Sequence, residues 1–241
     1  MAQRNDGHIT HERILECAAQ LFAERGFART KVGDICAQAS ANVAAVNYHY
    51  GSKQELYREV WRREIEHDLR TNPFDGGVAL SANPESRLRG RIRSMVRRFF
   101  HDDGQPTRFG LLLTREMASP TGLIEDLRRE FFPPQYVANR ELVRELLGPS
   151  ADEQEVIFTQ TSIVHQCLAL GLRRGFQDAL QGVNSMPAGH PVTMLFEALH
   201  EEGGVEELVD HIATFSLAGV KAIRERIAKR KSSRIGKATS A

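Results

Sequence analysis

Residues 42–53, "NVAAVNYHYGSK", place Asn47, Tyr48 and His49 beside small Ala44 and Ala45, then stop at Gly51. A core helix would carry larger aliphatics, and a catalytic helix would pair a titrating group with a partner. Asn, Tyr and His side chains can instead donate hydrogen bonds to phosphates or base edges. Small residues at the helix start let its backbone approach a flat surface closely. A helical wheel sets Val46 and Tyr50 on one side for packing. Ala44, Ala45, Tyr48 and His49 fall on the other, with Asn47 at the flank. Ser52 restarts a helix with Lys53 in its first turn, where a lysine opposes the helix dipole and a nearby phosphate would justify it. The plain alternative is a pair of half-buried aromatics in a small bundle.

The elements that would hold this stretch are helical. Ile14, Ala18, Leu21 and Phe22 recur at helical spacing from Thr10 to a stop at Gly26. Short helices follow over about 31–38 and 43–50, joined by a tight turn at helix-turn-helix spacing. A fourth runs over 52–71. "TNPFDGGVALSANPES" is a loop and the best domain boundary. Beyond it come further helices, a break at Pro133-Pro134, a long striped helix from about 152, a loop around Met186 to Pro191, and a last helix over about 205–229. The chain reads as all-α. Residues 1–52 are expected to form a three-helix domain with helix-turn-helix spacing, 53–72 a connecting helix, 73–231 a second, larger domain, and 232–241 a flexible basic tail.

Residues 10–57 resemble the DNA-binding domain of the TetR family of transcriptional regulators. The resemblance lies in "RILECAAQLFAERGFARTKVGDICAQAS" followed by "NVAAVNYHYGSKQELYREV". It implies a third helix entering the major groove and a protein that binds operator DNA as a homodimer. Carried over by position, Thr30 and Lys53 match phosphate contacts. Ala45 and Asn47 match groove-facing positions, and Tyr48 and His49 match backbone contacts. Asn42, Val43 and Ala44 complete the expected interface. Ser40 stands where the family usually has a turn glycine. Asn47 and Tyr50 stand where tyrosine and phenylalanine are common.

The resemblance also implies a small-molecule sensor domain. "LLLTREMASPTGLIEDLRREFFPPQY" is similar to the CecR-type subgroup. Arg115 and Glu116 sit in an otherwise apolar helix, where buried charges need partners. They could line a ligand pocket with Phe109, Met117, Phe131 and His165, or form an internal structural pair. "IFTQTSIVHQCLALGL" and "LVDHIATFSLAGVKAI" are apolar over more than one face, which suits two helices buried against a twin. The expected function is a repressor released from its operator by a small molecule. A DNA-binding protein without an inducer, acting structurally or through a protein partner, is the alternative.

Other classes find little support. No GxSxG, HExxH or phosphate-binding glycine loop is present, so an enzyme is not expected. His8 and His11 fall in an arm expected to be disordered, and His190, His200 and His211 are scattered. No metal or other cofactor is expected. Three distant cysteines without CxxC spacing suggest buried reduced thiols, and "MAQRNDGHITHER" lacks the apolar core of a signal peptide, so a cytoplasmic protein is expected. No run is apolar enough for a membrane span. The net charge of +1 lends DNA binding no support of its own, so any electrostatic footprint must be local.

Overall fold

The computed structural model describes the backbone of residues 2–180 and 191–238, and side chains over most of that range. The loop expected around Met186 to Pro191, including His190, lies almost wholly outside the described residues, as does the His8 side chain. Eleven helices and no β-strand occur among the described residues. The all-α reading is correct. The chain divides into two compact units, and the division does not follow chain order.

The first unit comprises Met1–Thr71, Pro106–Phe131 and Gly171–Asn184. It opens with α1 (Ala2–Arg29), which breaks at Gly26, where φ is 77° and the left-handed backbone favours glycine. Ile14, Ala18, Leu21 and Phe22 are all buried, as their spacing predicts. Next come α2 (Val32–Ala39), α3 (Val43–Tyr50) and α4 (Lys53–Thr71). The later segment adds α6 (Arg108–Ala118) and α7 (Glu125–Phe131). Helix α1 is the hub, packing on α2, α3, α4 and α6. The unit's core centres on Trp61, fully buried, with Phe109 edge-on to it at 6.0 Å. His11 belongs to α1 and packs on α3, so it does not sit in a disordered arm.

The second unit comprises Asn72–Gln105, Phe132–Leu170 and Ser185–Ala241. Its helices are α5 (Pro84–Arg97), α8 (Pro133–Leu147), α10 (Pro191–Leu199) and α11 (Gly204–Ala238), with the N-terminal part of α9 (Glu153–Leu180). Proline opens α5 and α8, where the missing N–H costs nothing. Helix α5 packs on both α8 and α11. Beneath it, Gly76 meets the Gly90 backbone so closely that a Cβ on Gly76 would stand 2.1 Å from the Gly90 carbonyl oxygen. Residues 232–238 continue α11 instead of fraying into a tail, and 239–241 lie outside the described residues. Basic residues are favourable at that helix end.

Candidate nucleic-acid interface

The turn between α2 and α3 runs through Ser40. Its φ of 47° and ψ of 46° make it the single left-handed residue other than glycine among those described. A Cβ there costs about 1–2 kcal/mol, so other bonds must hold the turn. The Ser40 N–H donates to the Ala37 carbonyl, and the Ala41 N–H to Cys36 at 2.9 Å. Arg13, from α1, donates through Nη2 to the carbonyls of Ala39 and Ser40. A positive side chain thus sits on the carbonyl end of α2, where the helix dipole favours it. Helical periodicity only places Arg13 on a polar face of α1, so nothing in the sequence marked it.

Asn42 caps α3, its Oδ1 accepting from the Ala45 N–H at 2.8 Å. Gly51 ends the helix at a φ of 75°, its N–H donating to the Asn47 carbonyl. Ser52 then caps α4 by accepting from the Glu55 N–H at 3.1 Å. Val46 is fully buried and Tyr50 nearly so. The Tyr50 hydroxyl donates to the His11 carbonyl at 2.8 Å, and its ring stacks on His11 at 4.8 Å. Burial, and then the charges of Glu12 and Glu59, push the Tyr50 phenol up, so it is a neutral donor.

The opposite face carries Val43, Ala44, Asn47 and Tyr48, all exposed. Tyr48 is 85% exposed, far more than packing would leave an aromatic. Ala45 and His49 are half-buried at its edge. The His49 ring stands edge-on to His11 at 5.6 Å and to Tyr48 at 5.1 Å. The exposed face is therefore rotated from the one expected. Asn47 sits within it, and Ala45 and His49 flank it.

Two expected phosphate contacts fare differently. Thr30 is fully buried, and its hydroxyl is within donating distance of the Leu21 and Gly26 carbonyls at 3.1 and 2.8 Å. A side-chain contact from Thr30 to phosphate is incompatible with that position. It caps the end of α1 instead. The exposed start of α2 is one residue later, at Lys31, which makes no side-chain cap. Gly33 follows in the first turn with open space beside its Cα. Lys53 is half-buried with its ammonium 4.2 Å from the Phe27 ring centroid, and burial lowers its pKa. The ring contact gives Lys53 a reason to sit there without a phosphate.

The expected ligand-pocket residues do not gather. Phe109 is core packing beside Trp61. Arg115 donates through Nε to the Ala23 carbonyl at 2.6 Å and through Nη2 to Glu24, which satisfies the end of α1. Glu116 is buried and accepts from the Tyr57 hydroxyl at 2.9 Å and from the Thr121 N–H at 2.8 Å. Met117 is exposed, Phe131 half-buried, and His165 exposed in the second unit, turned back to the Thr161 carbonyl. Arg115 and Glu116 thus hold structural bonds to separate partners instead of pairing with each other.

Helix α6 is also tied to α1 and α4 by charge. Arg108 meets Glu16 of α1 and Glu64 of α4, and Arg63 pairs with the same two carboxylates. Burial would push Glu16 up, but Arg108 and Arg63 outweigh it and hold its carboxyl below the usual range. Arg58 pairs with Asp126 and donates to the Leu123 carbonyl. Helix α4 is thus not the sole element bearing on α1–α3. Among the described residues, no group of side chains is placed to hold a metal ion, and no helix is long and apolar enough to cross a membrane.

Two families match the chain in tandem. Residues 14–60 match "Bacterial regulatory proteins, tetR family". Residues 84–220, more than half the chain, match the C-terminal domain of the "HTH-type transcriptional dual regulator CecR". The chain belongs to the TetR family. It is a DNA-binding transcriptional regulator whose relatives are regulators, not enzymes. The dual regulator CecR of Shigella flexneri is 24% identical over 175 residues, covering 69% of this chain and 77% of that protein. The transcriptional repressor KstR2 of Mycobacterium tuberculosis is 33% identical over 101 residues, covering 41% of this chain and 50% of that one. A transcriptional regulator from Rhodococcus sp. Rha1 shares the fold. Its TM-score is 0.57 at 15% identity, over 87% of this chain and 96% of that one.

Proposed function

We propose that this regulator is a homodimeric repressor released from a palindromic operator by a small molecule. Residues 1–52 read the DNA, 53–72 connect, and 73–231 sense and dimerise. The observation that supports it best is the face of α3, where Asn47 and Tyr48 stand exposed above a fully packed back. Tyr48 and His49 reach the phosphate backbone, while Val43, Ala44, Ala45 and Asn47 face base edges. Lys53 and the start of α2 add positive potential at the rim. Helix α6 gives a route for control, since Arg115 and Arg108 grip α1 directly. KstR2 is a repressor and CecR a dual regulator by name.

For dimerisation, the second unit exposes Ile157 and Phe158 on α9 and Phe215 on α11. Ala218, Gly219 and Ala222 continue the exposed face of α11 with small residues. Leu170 is 7% exposed, so it packs inward, and Phe215 is the better probe of an interface. Sedimentation of wild type should show a dimer at micromolar concentration, and Phe215→Glu a monomer. A wild-type monomer would remove the dimer from the account. Fluorescence anisotropy on DNA upstream of the regulator's own gene should show tighter binding than on a scrambled duplex. A thermal-shift screen of metabolites and drugs should return a compound that also releases the DNA. If stabilising compounds leave DNA binding unchanged, the inducer reading fails.

A further inference from the structure

Helix α5 carries five arginines and Arg98 caps it, and their partners differ. Arg87 pairs with Glu145, Arg89 with Asp210, Arg93 with Glu206 and Arg97 with Asp102. Arg98 stacks on the Phe74 ring at 3.7 Å and donates to the Asn72 carbonyl. Among the five within α5, Arg91 is the exception. It is 8% exposed, yet its one hydrogen-bond partner among the described residues is a neutral amide, Asn139 Oδ1 at 2.7 Å. Asp75 and Glu141 are near enough to be felt, but neither comes within ion-pair reach. Burial, with Arg87 nearby, disfavours its charge. A guanidinium carries five donors in a planar fork that fits a carboxylate. A buried charge left without a counter-charge is costly.

Arg91 and Asn139 stand at a recess between α5, α8 and α9, whose other walls are aliphatic: Leu88, Met95, Leu142, Val143, Ile163 and Val164. Gln160 completes it, its side-chain amide held on the Tyr136 carbonyl at 3.2 Å. The free space is about 10 Å³, enough for one water. Anything larger must spread α8 from its neighbours. Helix α8 has loose footing for that, with Tyr136 and Val137 both more than half exposed in its first turns.

We propose that this recess is a ligand site for an aliphatic carboxylate, with Arg91 and Asn139 holding the carboxylate and the aliphatic walls taking the chain. The fork of Arg91 gives two parallel hydrogen bonds to the two carboxylate oxygens, and the Asn139 amide supplies a further N–H. The chain enters by parting α8 from α9, so occupancy and helix movement are one event. This names the chemistry of the effector in the sensor reading above, and it rests on that reading for its consequence but not for binding itself.

The test is titration calorimetry of the full chain with octanoate, 1-octanol and acetate, without DNA. Octanoate should bind, and the alcohol and acetate should bind at least tenfold more weakly. Arg91→Gln should weaken octanoate at least tenfold and leave 1-octanol unchanged. Asn139→Asp covers the case in which the Arg91 variant fails to fold. It places a carboxylate within reach of Arg91, so it should raise the unfolding temperature and abolish octanoate binding. Octanoate that fails to bind wild type, or that binds Asn139→Asp as well as wild type, overturns the site. Octanoate that binds through Arg91 but leaves operator affinity unchanged upholds the site and removes this ligand class from the sensor reading.

Discussion

Helices α3 and α6 both interrupt an apolar pattern with polar side chains, and the first unit uses them in opposite ways. On α3, Asn47 and Tyr48 point outward, and Tyr48 is 85% exposed with its ring edge-on to the neighbouring His49. On α6, Arg115 and Glu116 turn inward and spend their hydrogen bonds on α1, Tyr57 and Thr121. Burial pushes the Tyr57 phenol up, so it meets Glu116 as a neutral donor. A polar group already satisfied inside the protein does structural work, and one held out in water is available to a partner. The same residue types therefore read as site or scaffold according to where their bonds go.

The comparison breaks first on Glu116. Its replacement by alanine strands the Tyr57 hydroxyl and the Thr121 N–H, and should cost about 3 kcal/mol of stability in chemical denaturation. A change below about 0.5 kcal/mol, the range of ordinary surface substitutions, would mean α6 is no scaffold. Asn47→Ala should leave the denaturation midpoint unchanged. Its effect should appear in binding-site selection, as about 2 kcal/mol lost at one base pair. An unchanged site preference would remove Asn47 from base reading. Ser40→Gly is the smallest effect. It relieves the left-handed Ser40 and should stabilise the protein by about 1 kcal/mol. A destabilised variant would show that the Ser40 side chain, not the Arg13 grip, holds the turn.

The helices of the first unit were legible because their apolar spacing and stop signals act locally. Val46 and Tyr50 pack inward as a wheel requires, and Gly26 and Gly51 end helices as glycine does. What was not legible depends on partners that only the folded chain brings together. Thr30 looked like a phosphate contact because its hydroxyl partners, Leu21 and Gly26, are fixed only once α1 breaks. Arg115 and Glu116 looked like pocket residues because α1 and Tyr57, their partners, lie 59 or more positions away. Arg13 was invisible for the same reason. On α3 the wheel put Ala45 and His49 on the outward face, whereas both are half-buried, His49 edge-on to His11 of α1.

The central claim is that the exposed face of α3 touches DNA and holds nothing else in place. Tyr48→Ala measures it most directly, in paired experiments on one preparation. Chemical denaturation should give the wild-type midpoint, since so exposed a ring contributes little to packing. Anisotropy titrations on the upstream duplex and on its scrambled counterpart should both weaken, by about tenfold or 1.4 kcal/mol, because a phosphate contact carries no sequence information. Wild-type affinity for both duplexes, or a loss of stability that matches the loss of binding, would contradict the account.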